Sequence, residues 1–146
     1  MINSRNIADL APAAQVWCRR HVEACRARLP HGVLLVQTRR DAEYQGSLFA
    51  QGRTTHGPAC SCKGRTAAGC TAHPLGLTIT ACDGTNKKSR HQSGLAWDLV
   101  PLDASGKPDW SNAAAFEVMA QEAEKLGIMA GLRWKMHDSP HFEVKA

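Results

Sequence analysis

Two short stretches hold the side chains best suited to chemistry: Ser89-Arg90-His91-Gln92-Ser93-Gly94-Leu95-Ala96-Trp97-Asp98 and Asp138-Ser139-Pro140-His141-Phe142-Glu143. Two neutral imidazoles and one carboxylate, with a fourth position left to water, form one of the ligand sets that catalytic zinc uses. His91, Asp98 and His141 supply that set, and Asp138 adds a spare carboxylate beside the second histidine.

Zinc donors sit about 2 Å from the ion, so they must come within roughly 3 to 4 Å of each other. His91 and Asp98 are seven positions apart, which spans about 10 Å on a helix or about 23 Å in a straight strand. The chain must fold back between them, and Gly94 is the residue best suited to that bend. Beyond it, period-two alternation puts Ala96, Asp98 and Val100 on one face and Leu95, Trp97 and Leu99 on the other. The same alternation pairs His141 with Glu143 on one face of a last strand, with Phe142 and Val144 opposite. His141 meets Asp98 if the two strands are neighbours. Asp138 then stands where a general base belongs, beside water that the metal acidifies. By spacing alone a His/Asp pair of this kind also arises by chance, and His137 reads as a solvated loop histidine.

The elements that must position these groups are legible from patterning. Residues 3 to 10 read as a leading turn, and Pro12 suits the first turn of a helix to about Arg28. Val33 to Gln37 is a short strand-like apolar run. Asp41 caps a helix through Gln51, with Gly52 as its stop, which leaves Arg40 at a strand-to-helix junction. Residues 52 to 76 show no clear periodicity. Leu77-Thr78-Ile79-Thr80 alternates like a half-buried strand, Asp83 to Asn86 reads as a turn, and Leu95 to Val100 as a strand. Ser111 is placed to cap a helix to Leu126, with Gly127 past its end. Trp134 begins a short strand, and Phe142 to Val144 make the last one. The order of elements implies an α+β fold, a small, mostly antiparallel sheet with about three helices, in one domain over residues 1–146.

Composition agrees with a folded chain of 146 residues, 43% apolar and 21% charged. The net charge of +5 suits an anionic partner, but the basic residues are scattered, without the aromatic platform or groove-reading helix that would point to nucleic acid. Arg5, Asp9, Arg19, Arg20 and Glu23 interrupt every apolar run near the start, so neither a Sec-type signal nor a membrane span is expected. Cys18 and Cys25 share a helical stripe at a spacing no disulfide bridges, and read as buried free thiols.

Ser89, His91, Gly94, Ala96 and Asp98 reproduce the pattern SxHxxGxAxD, and Asp138-Ser139-Pro140-His141-Phe142 an acid-x-x-His pattern. Together they resemble the LAS metallopeptidases, the group of lysostaphin, D-Ala-D-Ala metallopeptidases and sonic hedgehog. The chain is most similar to phage L-alanyl-D-glutamate endolysins and their VanY-like relatives. Thr38-Arg39-Arg40-Asp41 with Gln45, Leu48 and Ala50-Gln51-Gly52-Arg53-Thr54 resembles their upstream segment. The resemblance implies a hedgehog/D-Ala-D-Ala-peptidase-like fold and a zinc peptidase acting on peptidoglycan stem peptides. It implies that His91, Asp98 and His141 bind Zn2+, that Asp138 activates water, and that Arg40 contacts substrate or the developing oxyanion. Gln51 and Arg53 are expected to hold the loop after the helix.

The expected activity is an L-alanyl-D-glutamate endopeptidase, made in a bacterial host cytoplasm as a phage or prophage endolysin. It would reach the periplasm or wall after holin-type release and act as a monomer. A D-Ala-D-Ala carboxypeptidase of the same fold is the alternative within this class, and a non-catalytic zinc-containing binding module the alternative outside it. The chain departs from the pattern in a Cys-rich insertion over 59–76. Cys60, Cys62 and Cys70, with His73 or Cys82, could hold a second, structural zinc, form at least one disulfide, or remain free thiols.

Overall fold

Pro12 opens α1 (Pro12–Arg28), where its missing N–H leaves no helix bond unmade. The computed structural model describes residues 1–57 and 77–145. Two compact units make up the chain: Met1–Ile2 with Arg40–Gln92, and Asn3–Arg39 with Ser93–Ala146.

The second unit carries the sheet. Its strands are β1 (Val33–Gln37), β2 (Ala96–Pro101), β3 (Met129–Ala130) and β4 (His141–Glu143), in the order β1-β2-β4-β3 with every pairing antiparallel. Ala14, Cys18, Val22 and Cys25 form the buried stripe of α1, and Phe116, Met119, Ala120 and Ala123 that of α3 (Ala113–Lys125). Both stripes join a core with Trp97, Leu99, Val100, Phe142 and Val144. Burying each large side chain there is worth about 1.5–3 kcal/mol. Cys18 and Cys25 are buried free thiols, pushed up to about 12 by desolvation.

His21 is also fully buried in this core. The Trp97 indole N–H donates to its Nδ1 at 3.2 Å, which requires the proton on Nε2, where it is donated to the Met119 carbonyl at 2.9 Å. The ring packs edge-on against Phe142, with centroids 4.3 Å apart.

In the first unit, the Asp41 side chain caps α2 (Ala42–Ala50) by accepting from the Tyr44 N–H at 2.9 Å. Gln45 is buried and donates through Nε2 to the Cys82 carbonyl at 2.7 Å and to Thr80 Oγ1 at 3.3 Å. Arg53 donates to the carbonyls of Phe49 at 2.7 Å and Thr80 at 3.0 Å, so it holds the chain after α2 as expected.

The expected α+β fold is therefore found, with three α-helices and a four-stranded antiparallel sheet among the described residues. Three local expectations need correction. Leu77–Thr80 is not a strand: Leu77 and Ile79 are exposed, and the Arg53 side chain occupies the Thr80 carbonyl, which a ladder would use. Asn112, not Ser111, caps α3, accepting from the Ala115 N–H at 3.0 Å. Trp134 begins no strand. It closes a 3₁₀ turn over Gly131–Arg133, and the edge strand is the earlier pair Met129–Ala130.

Candidate metal centre

In the first unit, a run of turns from Asp83 to Gln92 presents His91. Asp83 Oδ1 accepts from the backbone N–H groups of Lys87 and Thr85, each at 2.9 Å, which holds its carboxyl below the usual range. Gln92 donates to the Gly84 carbonyl at 2.8 Å and accepts from the Ser89 N–H at 2.9 Å. His91 sits in a 3₁₀ turn, Arg90–Ser93, fully buried. Arg40 is tied to the same turn: its backbone N–H donates to the His91 carbonyl at 3.3 Å and its guanidinium to Ser89 Oγ at 3.3 Å.

The bend expected at Gly94 is present. Its φ is +69°, and a Cβ there would lie 2.7 Å from the Ala11 nitrogen, so both conformation and space call for glycine. In the second unit, β2 and β4 pair with Asp98 opposite His141, Trp97 opposite Phe142 and Ala96 opposite Glu143. Phe142 and Trp97 are buried in the core, while Asp98 Oδ1 lies 3.4 Å from His141 Nδ1. This is the strand adjacency that the alternation required.

The approach to β4 is folded around Gly131. Its carbonyl accepts from the N–H groups of Trp134 at 3.1 Å and Asp138 at 3.0 Å, and the Asp138 carbonyl accepts from the His141 N–H at 3.1 Å. A Cβ on Gly131 would stand 3.1 Å from the Cβ atoms of both Asp138 and His141 and would collide with the Asp138 carbonyl. Asp138 is thereby set with one carboxylate oxygen 4.0 Å from His141 Nδ1 and with half its side chain in solvent. A general base that must meet water and substrate needs both the proximity and the exposure.

Burial alone would push the His141 ring below its ordinary value. Hydrogen bonds to the Asp98 and Glu143 carboxylates, with the charge of Asp138, outweigh it and raise the ring to about 9. The negative field that favours a proton here also favours a dication.

The second unit thus sets a carboxylate against the His141 imidazole, and the first unit presents the buried imidazole of His91. Nitrogen from two histidines and oxygen from one carboxylate fit zinc. Cys60, Cys62, Cys70 and His73 lie outside the described residues, and Cys82 is a half-buried free thiol. His137 is exposed, with Nδ1 2.7 Å from the Leu132 carbonyl.

Residues 83–144, which take in both motifs, match the model of a family described as D-alanyl-D-alanine carboxypeptidase. Over that segment the match agrees with the resemblance to the LAS-type peptidases. Among solved structures, the Serratia marcescens L-Ala D-Glu endopeptidase ChiX is similar in fold, with a TM-score of 0.58 and 18% identity, over 96% of this chain and 84% of that one. No curated protein matches.

Sequence pattern assigns no role to two neighbours of His141. Glu143 Oε2 is 2.9 Å from His141 Nε2, and the Trp134 ring lies against the imidazole with centroids 5.0 Å apart. The signal for Glu143 was its place two residues on, on the same strand face. For Trp134 no sequence pattern pointed to the contact.

Proposed function

We propose that this chain is a LAS-type, zinc-dependent peptidoglycan stem-peptide hydrolase that cleaves the L-alanyl-D-glutamate bond. The observation that carries this reading is the Asp98 carboxylate 3.4 Å from His141 Nδ1, with the half-exposed Asp138 carboxylate at the same imidazole.

Bound zinc would supply Lewis acidity to the scissile carbonyl and lower the pKa of water. The chain's own residues do the rest. Asp138 takes the proton of the attacking water and returns it to the departing amine. Arg40, permanently charged and held by Ser89, offers a planar fork to a substrate carboxylate or to the oxyanion. A protein of net charge +5 is suited to an anionic wall. Among the described residues no helix is long and apolar enough to cross a membrane. Action as a phage or prophage endolysin, released through a holin-type lesion and working as a monomer, completes the proposal.

The description of the matching family favours a second reading, a D-Ala-D-Ala carboxypeptidase. Such an enzyme must recognise a free terminal carboxylate, whereas an endopeptidase needs a cleft open at both ends. Digestion of purified peptidoglycan followed by mass spectrometry separates them. New N-terminal D-Glu supports the endopeptidase and released D-Ala the carboxypeptidase. A zinc-loaded protein that releases neither overturns both, and leaves a zinc-containing binding module.

A further inference from the structure

Building on the reading of His91, Asp98 and His141 as zinc ligands, we infer that Glu143 is a positioning residue that decides which nitrogen of His141 is offered to the metal. A neutral imidazole has one N–H donor and one bare acceptor nitrogen, and only the bare one can bind a cation. At His141 the two are held by different partners. Nε2 is 2.9 Å from Glu143 Oε2, whereas Nδ1 faces Asp98 at 3.4 Å and Asp138 at 4.0 Å.

This arrangement sets up a competition. Without Glu143, both remaining carboxylates lie on the Nδ1 side, so they would draw the ring proton to Nδ1, where a metal ion needs a lone pair. Glu143 gives the proton a better place: with Nε2–H donated to Glu143, Nδ1 is bare and turned towards Asp98. The side chains of His141 and Glu143 are only 7% and 14% exposed. A carboxylate desolvated to that degree loses hydration that a hydrogen bond must offset. Trp134 packs against the imidazole and opposes a ring flip that would exchange the two nitrogens.

The pairing also follows from the strand. Glu143 is two residues after His141, on the same face, and is fixed by its own pairing with Ala96 on β2 and Met129 on β3. The acid that orients the imidazole therefore cannot drift from it without breaking the ladder on both sides. Loss of such an outer partner of a metal-bound histidine commonly weakens metal affinity about 10- to 100-fold.

Zinc affinity, measured on the full chain by competition with a chromophoric chelator, tests this without reference to hydrolysis. Wild type should bind zinc in a manner abolished by His141→Ala. Glu143→Ala should bind about 10- to 100-fold more weakly. Glu143→Gln, which keeps an oxygen to accept from Nε2–H, should recover most of that loss. Circular dichroism and thermal melting confirm that each variant is folded. A second readout needs no variant: in protein loaded with cadmium-113 and labelled with nitrogen-15, the metal should couple to Nδ1 of His141. Glu143→Ala binding as tightly as wild type, a glutamine no better than alanine, or coupling through Nε2 would each overturn the role of Glu143 while leaving the metal centre intact. Wild type whose zinc content is indifferent to His141 would instead overturn the ligand set itself.

Discussion

Two buried histidines stand on opposite sides of the same strand pair, and their surroundings drive them in opposite directions. His21 lies behind β2 and β4 against Trp97 and Phe142, and desolvation lowers it to about 4, although the Met119 carbonyl and the charge of Glu122 pull the other way. His141 is on β4 itself, nearly as buried, yet the carboxylates of Asp98 and Glu143 carry it up to about 9. Burial does not decide what a histidine does; the charges facing it do. One ring is a neutral strut in the core and the other sits in a field suited to a cation.

The sharpest way to break this contrast is at the charged end. His141→Ala should lose bound zinc and lower stem-peptide hydrolysis by on the order of 10³-fold or more, read by metal analysis and by product formation. Asp138→Ala should keep the zinc and still lose about 10²- to 10⁴-fold in rate. Full activity in that variant would remove Asp138 from the mechanism.

At the apolar end the observable is stability. The folded value of His21 lies below the ordinary value of 6.5, so the unfolded chain binds more protons between the two. The contribution of this ring is therefore fully present above about pH 6.5 and is lost as pH falls through about 4, a total of about 3 kcal/mol. Urea midpoints measured at pH 7 and pH 5 should differ more for wild type than for His21→Gln, which cannot titrate. Equal differences would show that the core does not hold this ring neutral.

The smallest effect is expected at the bend before β2. Gly94→Ala places a side chain at φ +69° and against Ala11, which should cost about 1–2 kcal/mol from the backbone conformation alone, with the remainder set by how far Ala11 can yield. Thermal melting checks it. A neutral outcome would mean that the bend does not depend on glycine.

Much of this arrangement was legible because particular residues leave strong marks. Pro12 and a buried stripe define α1, Asp41 marks α2, and the Gly94 bend with alternation beyond it brings Asp98 towards His141. What escaped was set by neighbours rather than by pattern. Leu77–Thr80 alternates as a strand should, but Arg53 claims the carbonyl at its end. Ser111 and Asn112 are both good caps, one residue apart, and only local geometry chooses between them. Met129–Ala130 is too short to show a period at all. Glu143 looked like one more polar residue on a strand, because its importance comes from the nitrogen it faces.

The alternation along β2 gives this segment an unusual tolerance profile. Trp97 is committed to one side of the sheet and Asp98 to the other, and the pairing opposite repeats the division with Phe142 and His141. Losing or gaining a single residue between Gly94 and Asp98 would act like a frame error, exchanging the two sides at a stroke and sending an indole to the face of His141 and a carboxylate into the apolar interior. Diversity in this stretch should therefore come through replacement at fixed length, while changes in length gather in the connections on either side.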